Sequence, residues 1–260
     1  MTTFLGPAAV PDLQIDEQIA ILRLRRPDQA NRLELRDLEV LQQHFRWLSA
    51  RGAEVRALVV TGTGKHFSAG FDLGAIDSAV EGDASQIFAA MVDALEGLPQ
   101  VTICAINGGV FGGSTDLALA CDIRLGVPQT RMFMPAARIG LHYYESGLRR
   151  YGTRLGLDNA KRLCLLAEEF DAPALQQIGY LTRIVPDESL MNEALVLARR
   201  AADMAPLARA NMKATLNAMA AGRYDPQQGA RGYAECMASA DLKEGIAALR
   251  EKRAPKFEGR

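Results

Sequence analysis

Residues 101–122 read VTICAINGGVFGGSTDLALACD, and this stretch decides the fold. A compact apolar run, 101–106, meets Asn107-Gly108-Gly109, then Gly112-Gly113, and then Ser114-Thr115-Asp116 at the head of a segment with helical character, 115–121. A short apolar run between turn signals reads as a buried strand. A hydroxyl residue followed by an acid in the first turn reads as a helix start. The preceding segment repeats the order: 55–61 (VRALVVT) is a second buried strand, 62–74 a loop, and 84–98 a helix ending at Pro99. With the strand-like 123–127 that follows, the alternation predicts an α/β layered domain.

Working outward, residues 1–12 form a loose lead-in, and the apolar runs 13–16 and 19–24 make a hairpin around Glu17-Gln18. Leu35, Leu38, Leu41, Phe45 and Leu48 recur at helical spacing and predict a helix over 34–51, stopped by Gly52. Beyond Pro186 the chain turns rich in Ala, Leu, Met and Arg, with helical periods and no convincing strand. The expected organisation is therefore a lead-in (1–12), a core (13–189) and a helical C-terminal region (190–260).

Composition narrows the function classes. The 260 residues carry 30 Lys+Arg against 31 Asp+Glu, and a net charge of −1 gives no bulk attraction to nucleic acid or to an anionic membrane surface. Cys104, Cys121, Cys164 and Cys236 lie far apart, and with three histidines in the chain neither structural zinc nor a disulfide framework is expected. No apolar run approaches the length of a membrane span, and the start lacks the pattern of a secretory leader. The expectation is a soluble cytoplasmic enzyme with no metal site, no membrane association and no nucleic-acid partner.

Two loops carry the chemistry: 65–73 (KHFSAGFDL) and 107–116 (NGGVFGGSTD), each directly after a buried strand. Loops leaving the C-terminal ends of parallel strands line ligand crevices. Small residues there let the backbone approach a ligand, and free N–H groups can bind an oxyanion.

Together these segments resemble the enoyl-CoA hydratase/isomerase (crotonase) superfamily. Phe67 to Leu73 fits its F-x-A-G-x-D-[LI] element, and Asn107 to Asp122 its N-G-x-x-x-G-G-x-x-[ED]-L…C-D element. Leu24-Arg25-Arg26-Pro27…Asn31 fits an early element, and Glu244-Gly245…Glu251-Lys252-Arg253…Phe257 the tail. The resemblance implies a crotonase-like spiral of ββα repeats with a helical C-terminal trimerisation region, assembled as a homotrimer or homohexamer. It implies an acyl-CoA thioester substrate, with coenzyme A entering as part of the substrate and no separate cofactor. The amides of Phe71 and Gly113 would form an oxyanion hole for the thioester enolate, Gly113 gaining from the helix start. Ala69, Asp72, Leu73 and Gly112 would border coenzyme A. Lys252 would lie near its phosphates, in a neighbouring subunit.

The match breaks at the proton-transfer groups. Hydratases of this family use two glutamates; the first position here is Asp116, one methylene shorter, and the second is Ala136, which carries no proton. The next loop, Leu141-His142-Tyr143-Tyr144-Glu145-Ser146-Gly147, offers replacements. Asp116 is the first candidate for proton transfer and Glu145 the second, with Tyr144 or His142 assisting. Against this, Asp116 suits a helix start, Asp72 a turn cap, and Glu145 the first turn of a helix beginning near Gly147 above a packed Tyr143-Tyr144. Arg138, Arg149, Arg150 and Arg154 form a basic cluster, read as a solvated helix face rather than an anion site. Double-bond isomerisation and hydration head the reactions. Hydrolysis, decarboxylation or carbon–carbon cleavage by the altered loop is the alternative, with a non-catalytic thioester-binding paralogue behind it.

Overall fold

In the computed structural model, which describes residues 2–4, 9–72, 74 and 83–260, the hairpin forms as expected. Strand β1 (Thr2–Phe4) pairs with β2 (Asp12–Asp16), and β2 with β3 (Ile19–Leu24), both antiparallel, with Glu17 at φ 52° closing the turn. The buried runs of the sequence continue the sheet as β4 (Ala57–Gly62), β6 (Val101–Ile106) and β8 (Ile123–Gly126), all parallel to β3, with β11 (Arg183–Ile184) at the far edge. A second sheet of four short strands stands in the order β10-β9-β7-β5. It comprises β5 (His66–Ser68), β7 (Gly109–Phe111), β9 (Arg131–Phe133) and β10 (Phe170–Asp171).

The predicted helices are α1 (Leu35–Ser49), α2 (Asp83–Glu96) and α3 (Ser114–Ala120). Helix α1 starts on a capping box, in which Glu34 and Asp37 each accept from the other's backbone N–H. Then come α4 (Glu145–Leu155), α5 (Leu157–Leu166) and α6 (Ala172–Gln177), followed by α7 (Leu190–Ala202), α8 (Pro206–Ala220), α9 (Pro226–Ala238) and α10 (Ala240–Glu251). Three times among the described residues the chain runs from the large sheet to the small sheet to a helix: β4-β5-α2, β6-β7-α3 and, after a 3-10 turn, β8-β9-α4. This is the ββα spiral, and it sets the two glycine loops side by side where the chain crosses between sheets.

The central strands are buried on both faces, which is why their sequences show no polar alternation. Leu58, Val60, Cys104 and Ile106 pack into the core with Leu38, Phe45, Met91 and Leu117 from α1, α2 and α3. Ala57, Val59, Ile103 and Ala105 pack on the opposite face against Leu190, Ala194 and Ala198 of α7. The small Ala194 and Ala198, one turn apart, allow α7 to lie on the sheet. Helix α7 thus belongs to the core, and the helical extension begins after it, at α8. Among the described residues no helix is long and apolar enough to cross a membrane.

Two asparagines fix the first glycine loop. Asn31, buried and at φ 51°, accepts from the Arg26 amide (2.9 Å) and donates to the carbonyls of Thr63 and His66 (both 2.8 Å). Asn107 accepts from the Gly62 amide (3.2 Å) and donates to Gly64 O (2.8 Å). Asn31→Ala removes that residue's three bonds and a longer one from the Thr63 hydroxyl (3.4 Å), strands buried backbone groups and places alanine in the left-handed region. A loss of about 3 kcal/mol is expected in urea unfolding, and a loss below about 1 kcal/mol would show that the loop is held by other contacts.

Candidate active site

The two loops touch through backbone, and glycine makes this possible. Gly70 sits at φ +93°, and a Cβ there would lie 2.6 Å from Phe111 O and 2.9 Å from Gly113 N. At Gly108 a Cβ would fall 2.0 Å from Lys65 O. The contact is locked by Ser68, whose hydroxyl donates to Asn31 O (2.8 Å) and accepts from Gly70 N (3.0 Å), and by Ser114, whose hydroxyl donates to Ser68 O (2.8 Å). The neighbouring amides are all engaged: Gly70 on Ser68, Asp72 on Leu33 O (2.9 Å), Gly112 on Phe133 O (3.1 Å). Those of Phe71 and Gly113 donate to no protein acceptor among the described residues.

Both residues line a small apolar cavity of about 90 Å³, with Ala69, Gly112, Phe88 and Ala136 in its wall. Among the described lining residues there is no carboxylate, imidazole, lysine or arginine; the side-chain polar groups are the hydroxyls of Ser85, Tyr143 and Tyr144. Tyr144 stacks on Tyr143 (ring centroids 4.4 Å) and meets Phe88 edge-on (6.1 Å). Hydroxyls and carboxylate form a chain: Tyr143 donates to Tyr144 (3.3 Å), and Tyr144 to Asp116 Oδ2 (2.5 Å). Burial, and next the Asp116 charge, push the Tyr144 phenol well above its ordinary range, so it is a neutral proton donor at pH 7.

Asp116, in the first turn of α3, has no solvent contact and stands behind Tyr144 rather than in the cavity wall. Both of its oxygens are held by Arg150, Nε to Oδ1 at 2.8 Å and Nη2 to Oδ2 at 2.7 Å. Arg150 is equally buried, and its Nη1 bonds Asp93 Oδ1 (2.6 Å) and Glu96 Oε2 (3.0 Å) on α2. Glu96 also pairs with Arg149 and with Arg154 (3.1 Å). Burial pushes the Glu96 carboxyl up, but the three arginines outweigh it and leave it below its ordinary range.

Of the cluster expected on a solvated helix face, Arg138 is exposed, while Arg149, Arg150 and Arg154 join Glu96, Asp116 and the half-exposed Asp93 in a largely buried ion network. Arg150 and Arg154 are one turn apart on α4 and grip α3 at both ends. Arg154 donates to Leu119 O in its last turn and to Cys121 O at its C-cap (2.7 Å), while Arg150 holds the acid of its first turn. Nothing in the local pattern of α4 announces this. The available signal was Glu96 and Asp116 on otherwise apolar helix faces, where buried carboxylates require buried cations.

The remaining candidates disperse. Helix α4 begins at Glu145 itself, not near Gly147, with Tyr144 as its N-cap, so the exposed Glu145 lies on the first turn outside the cavity wall. Asp72 caps a turn through Gly74 N (3.1 Å) and pairs with Arg32 (3.5 Å). Leu73 lies outside the described residues. Lys252 is exposed at the end of α10, in the left-handed region at φ 55°. His142 is exposed, and His66 packs its ring 6.0 Å from that of Phe111. Tyr151 and Tyr180, absent from the sequence reading, hold Thr115 beneath the cavity through its hydroxyl and its carbonyl (2.8 Å).

The family described as enoyl-CoA hydratase/isomerase matches residues 14–260. The chain belongs to that family, the crotonase superfamily, and is an enzyme of the hydratase/isomerase type. It is 28% identical over 253 residues to the short-chain-enoyl-CoA hydratase of Clostridium acetobutylicum, covering 95% of this chain and 96% of that one. Its fold matches an enoyl-CoA hydratase from Bacillus anthracis at TM-score 0.89 (27% identity; 96% of this chain, 99% of that one). It also matches an enoyl-CoA hydratase/carnitine racemase from Magnetospirillum magneticum at 0.92 (26% identity; 99% and 97%).

Tyr143, Tyr144, Tyr151 and Tyr180 are all pushed well above 10, foremost by burial. In alkaline titration at pH 10 these four are expected to stay silent, the native phenolate absorbance falling short of the unfolded chain's by their share. Because their folded proton affinities exceed the unfolded ones, their stabilisation is complete below the unfolded phenol range and is lost as pH rises through the folded range. Thermal unfolding should move to lower temperature above about pH 10, and a flat dependence there would contradict the burial.

Proposed function

We propose that this protein isomerises the double bond of an acyl-CoA thioester through an enolate held by the Phe71 and Gly113 amides. The observation that carries this reading is the pairing of two unengaged amides with one proton-bearing unit, Tyr144 on Asp116, at the same small apolar cavity. Preorganised donors in a water-poor site favour charge that develops on the thioester oxygen, each contributing about 10²–10³ in rate.

The proton accounting is simple. A substrate C–H bond breaks and its electron pair enters the enolate. The proton goes to the Tyr144 oxygen while the phenolic proton passes to Asp116. The reverse transfer returns a proton to a different carbon, and the tyrosine–aspartate pair ends as it began. A single shuttling unit suffices for isomerisation. Hydration requires a second group to activate water, and Ala136 removes the usual one. Glu145, exposed outside the wall, has no part in this scheme.

Decarboxylation is the second reading. Loss of CO₂ from a carboxylated acyl thioester generates the same enolate without a base and needs afterwards only a proton donor, which the neutral Tyr144 phenol provides. The lack of any carboxylate in the described wall favours it.

Coenzyme A would enter with the substrate past Ala69, Asp72, Leu73 and Gly112, with Lys252 of a neighbouring subunit near its phosphates. The expected trimer or hexamer is supported by exposed apolar residues on the helical extension, among them Met212, Leu216, Tyr233 and Met237. Light scattering on the purified protein tests that assembly.

A panel of CoA thioesters incubated in D₂O separates the reactions by mass. Isomerisation gives deuterium incorporation without added water or lost CO₂. Water addition establishes hydration, CO₂ loss establishes decarboxylation, and failure of every thioester to bind overturns the reading. Tyr144→Phe and Asp116→Asn are each expected to lower turnover about 10²–10³-fold, and full activity in both would remove the proton assignment.

A further inference from the structure

Arg150 takes up no substrate proton and touches no described wall residue except through its neighbours, yet it is fully buried, with two carboxylates besides Asp116 on its guanidinium. We propose that Arg150 is the positioning residue of this site. By clamping both oxygens of Asp116 and anchoring that clamp on Asp93 and Glu96, it holds Asp116 back from the cavity and leaves the Tyr144 hydroxyl to meet the substrate. This inference rests on the reaction proposed above.

The geometry defines the role. A guanidinium is a planar fork that grips a carboxylate with two parallel bonds, and the Nε and Nη2 contacts at 2.8 and 2.7 Å are that grip. Nη1 is left for α2, where Asp93 and Glu96 fix the fork's orientation from the far side. One side chain therefore ties together α2, which brings Phe88 to the cavity, α3, which follows Gly113, and α4, which starts on Tyr144. Asp116, one methylene shorter than glutamate, cannot both keep this grip and reach the cavity. Tyr144 spans the gap.

The charged and titratable groups around the pair are all of one network. Asp93 and Glu96 face Arg150 from α2, Asp116 from α3, and Arg149 and Arg154 flank it on α4. Tyr143, Tyr144, Tyr151 and, on α5, Cys164 feel the Asp116 charge, which adds to burial in raising each of them. Without the guanidinium, the carboxylate loses the fork that orients it, and the Tyr144 hydroxyl loses its fixed partner.

The test uses the thioester that the wild-type enzyme turns over. Arg150→Gln is expected to lower kcat about 100-fold with KM within about threefold. Arg150→Lys, which keeps the charge without the fork, should recover only part of kcat. Because Arg150→Gln strands buried carboxylates, it is paired with Asp116→Asn/Arg150→Gln, whose neutral amides can hydrogen-bond to each other. If Arg150 acts through Asp116, the double variant is no slower than Asp116→Asn alone. A folded Arg150→Gln enzyme with the wild-type kcat, or a double variant slowed by the product of the two single effects, overturns the positioning role and leaves the reaction standing. A wild-type protein with no thioester turnover overturns both.

Discussion

A carboxylate without solvent contact stays in a protein interior only if its charge and hydrogen-bonding capacity are met there, and in this protein Arg150 meets both for Asp116. The pair crosses from α4 to α3, and its third and fourth members lie on α2, so the helices that surround the cavity are bound into one unit by ions rather than by apolar contact alone. Desolvating these groups costs several kcal/mol per ion, which the mutual pairing offsets. What the network contributes beyond stability is geometry, because a two-pronged guanidinium leaves its carboxylate very little freedom. The Tyr144 hydroxyl inherits that definition through its bond to Asp116.

The site is thus assembled in two chemically different ways. On one side, the unengaged amides of Phe71 and Gly113 owe their freedom to backbone packing, with Gly70 and Gly108 letting loops approach to distances no Cβ would tolerate. On the other side, a chain of hydroxyls ends on a buried anion. The first half suits any reaction that places charge on a thioester oxygen. The second half narrows the reaction, since a phenol backed by a single carboxylate gives and takes one proton.

The glycine loops and their strands were legible in sequence because the constraint is local: a turn without room for a side chain demands glycine, and a strand buried on both faces demands an unbroken apolar run. The ββα order came only with the family resemblance, because the short strands β5 and β7 lie inside segments that read as glycine loops. Helical periodicity does not say which surface a helix covers, and Ala194 and Ala198 place α7 on the sheet rather than in the extension. The start of α4 moved from near Gly147 to Glu145, because Tyr144 is held in extended backbone by its stacking on Tyr143 and its bond to Asp116.

Arg150 shows where the sequence stops. Between Arg149 and Arg154 it has the composition of a solvent-facing helix, and its partners stand 34, 54 and 57 residues away on other elements. The sequence by itself determined the hairpin and the central buried strands, the two glycine loops, the family and the absence of a second carboxylate at Ala136, all of them matters of local backbone and residue identity. The short strands of the second sheet, and β1 within the expected loose lead-in, depend on partners elsewhere in the chain. Only the tertiary structure decided which way Asp116 faces and which hydroxyl stands before it. The direction of a buried charge is set by the counter-charge it meets across the fold.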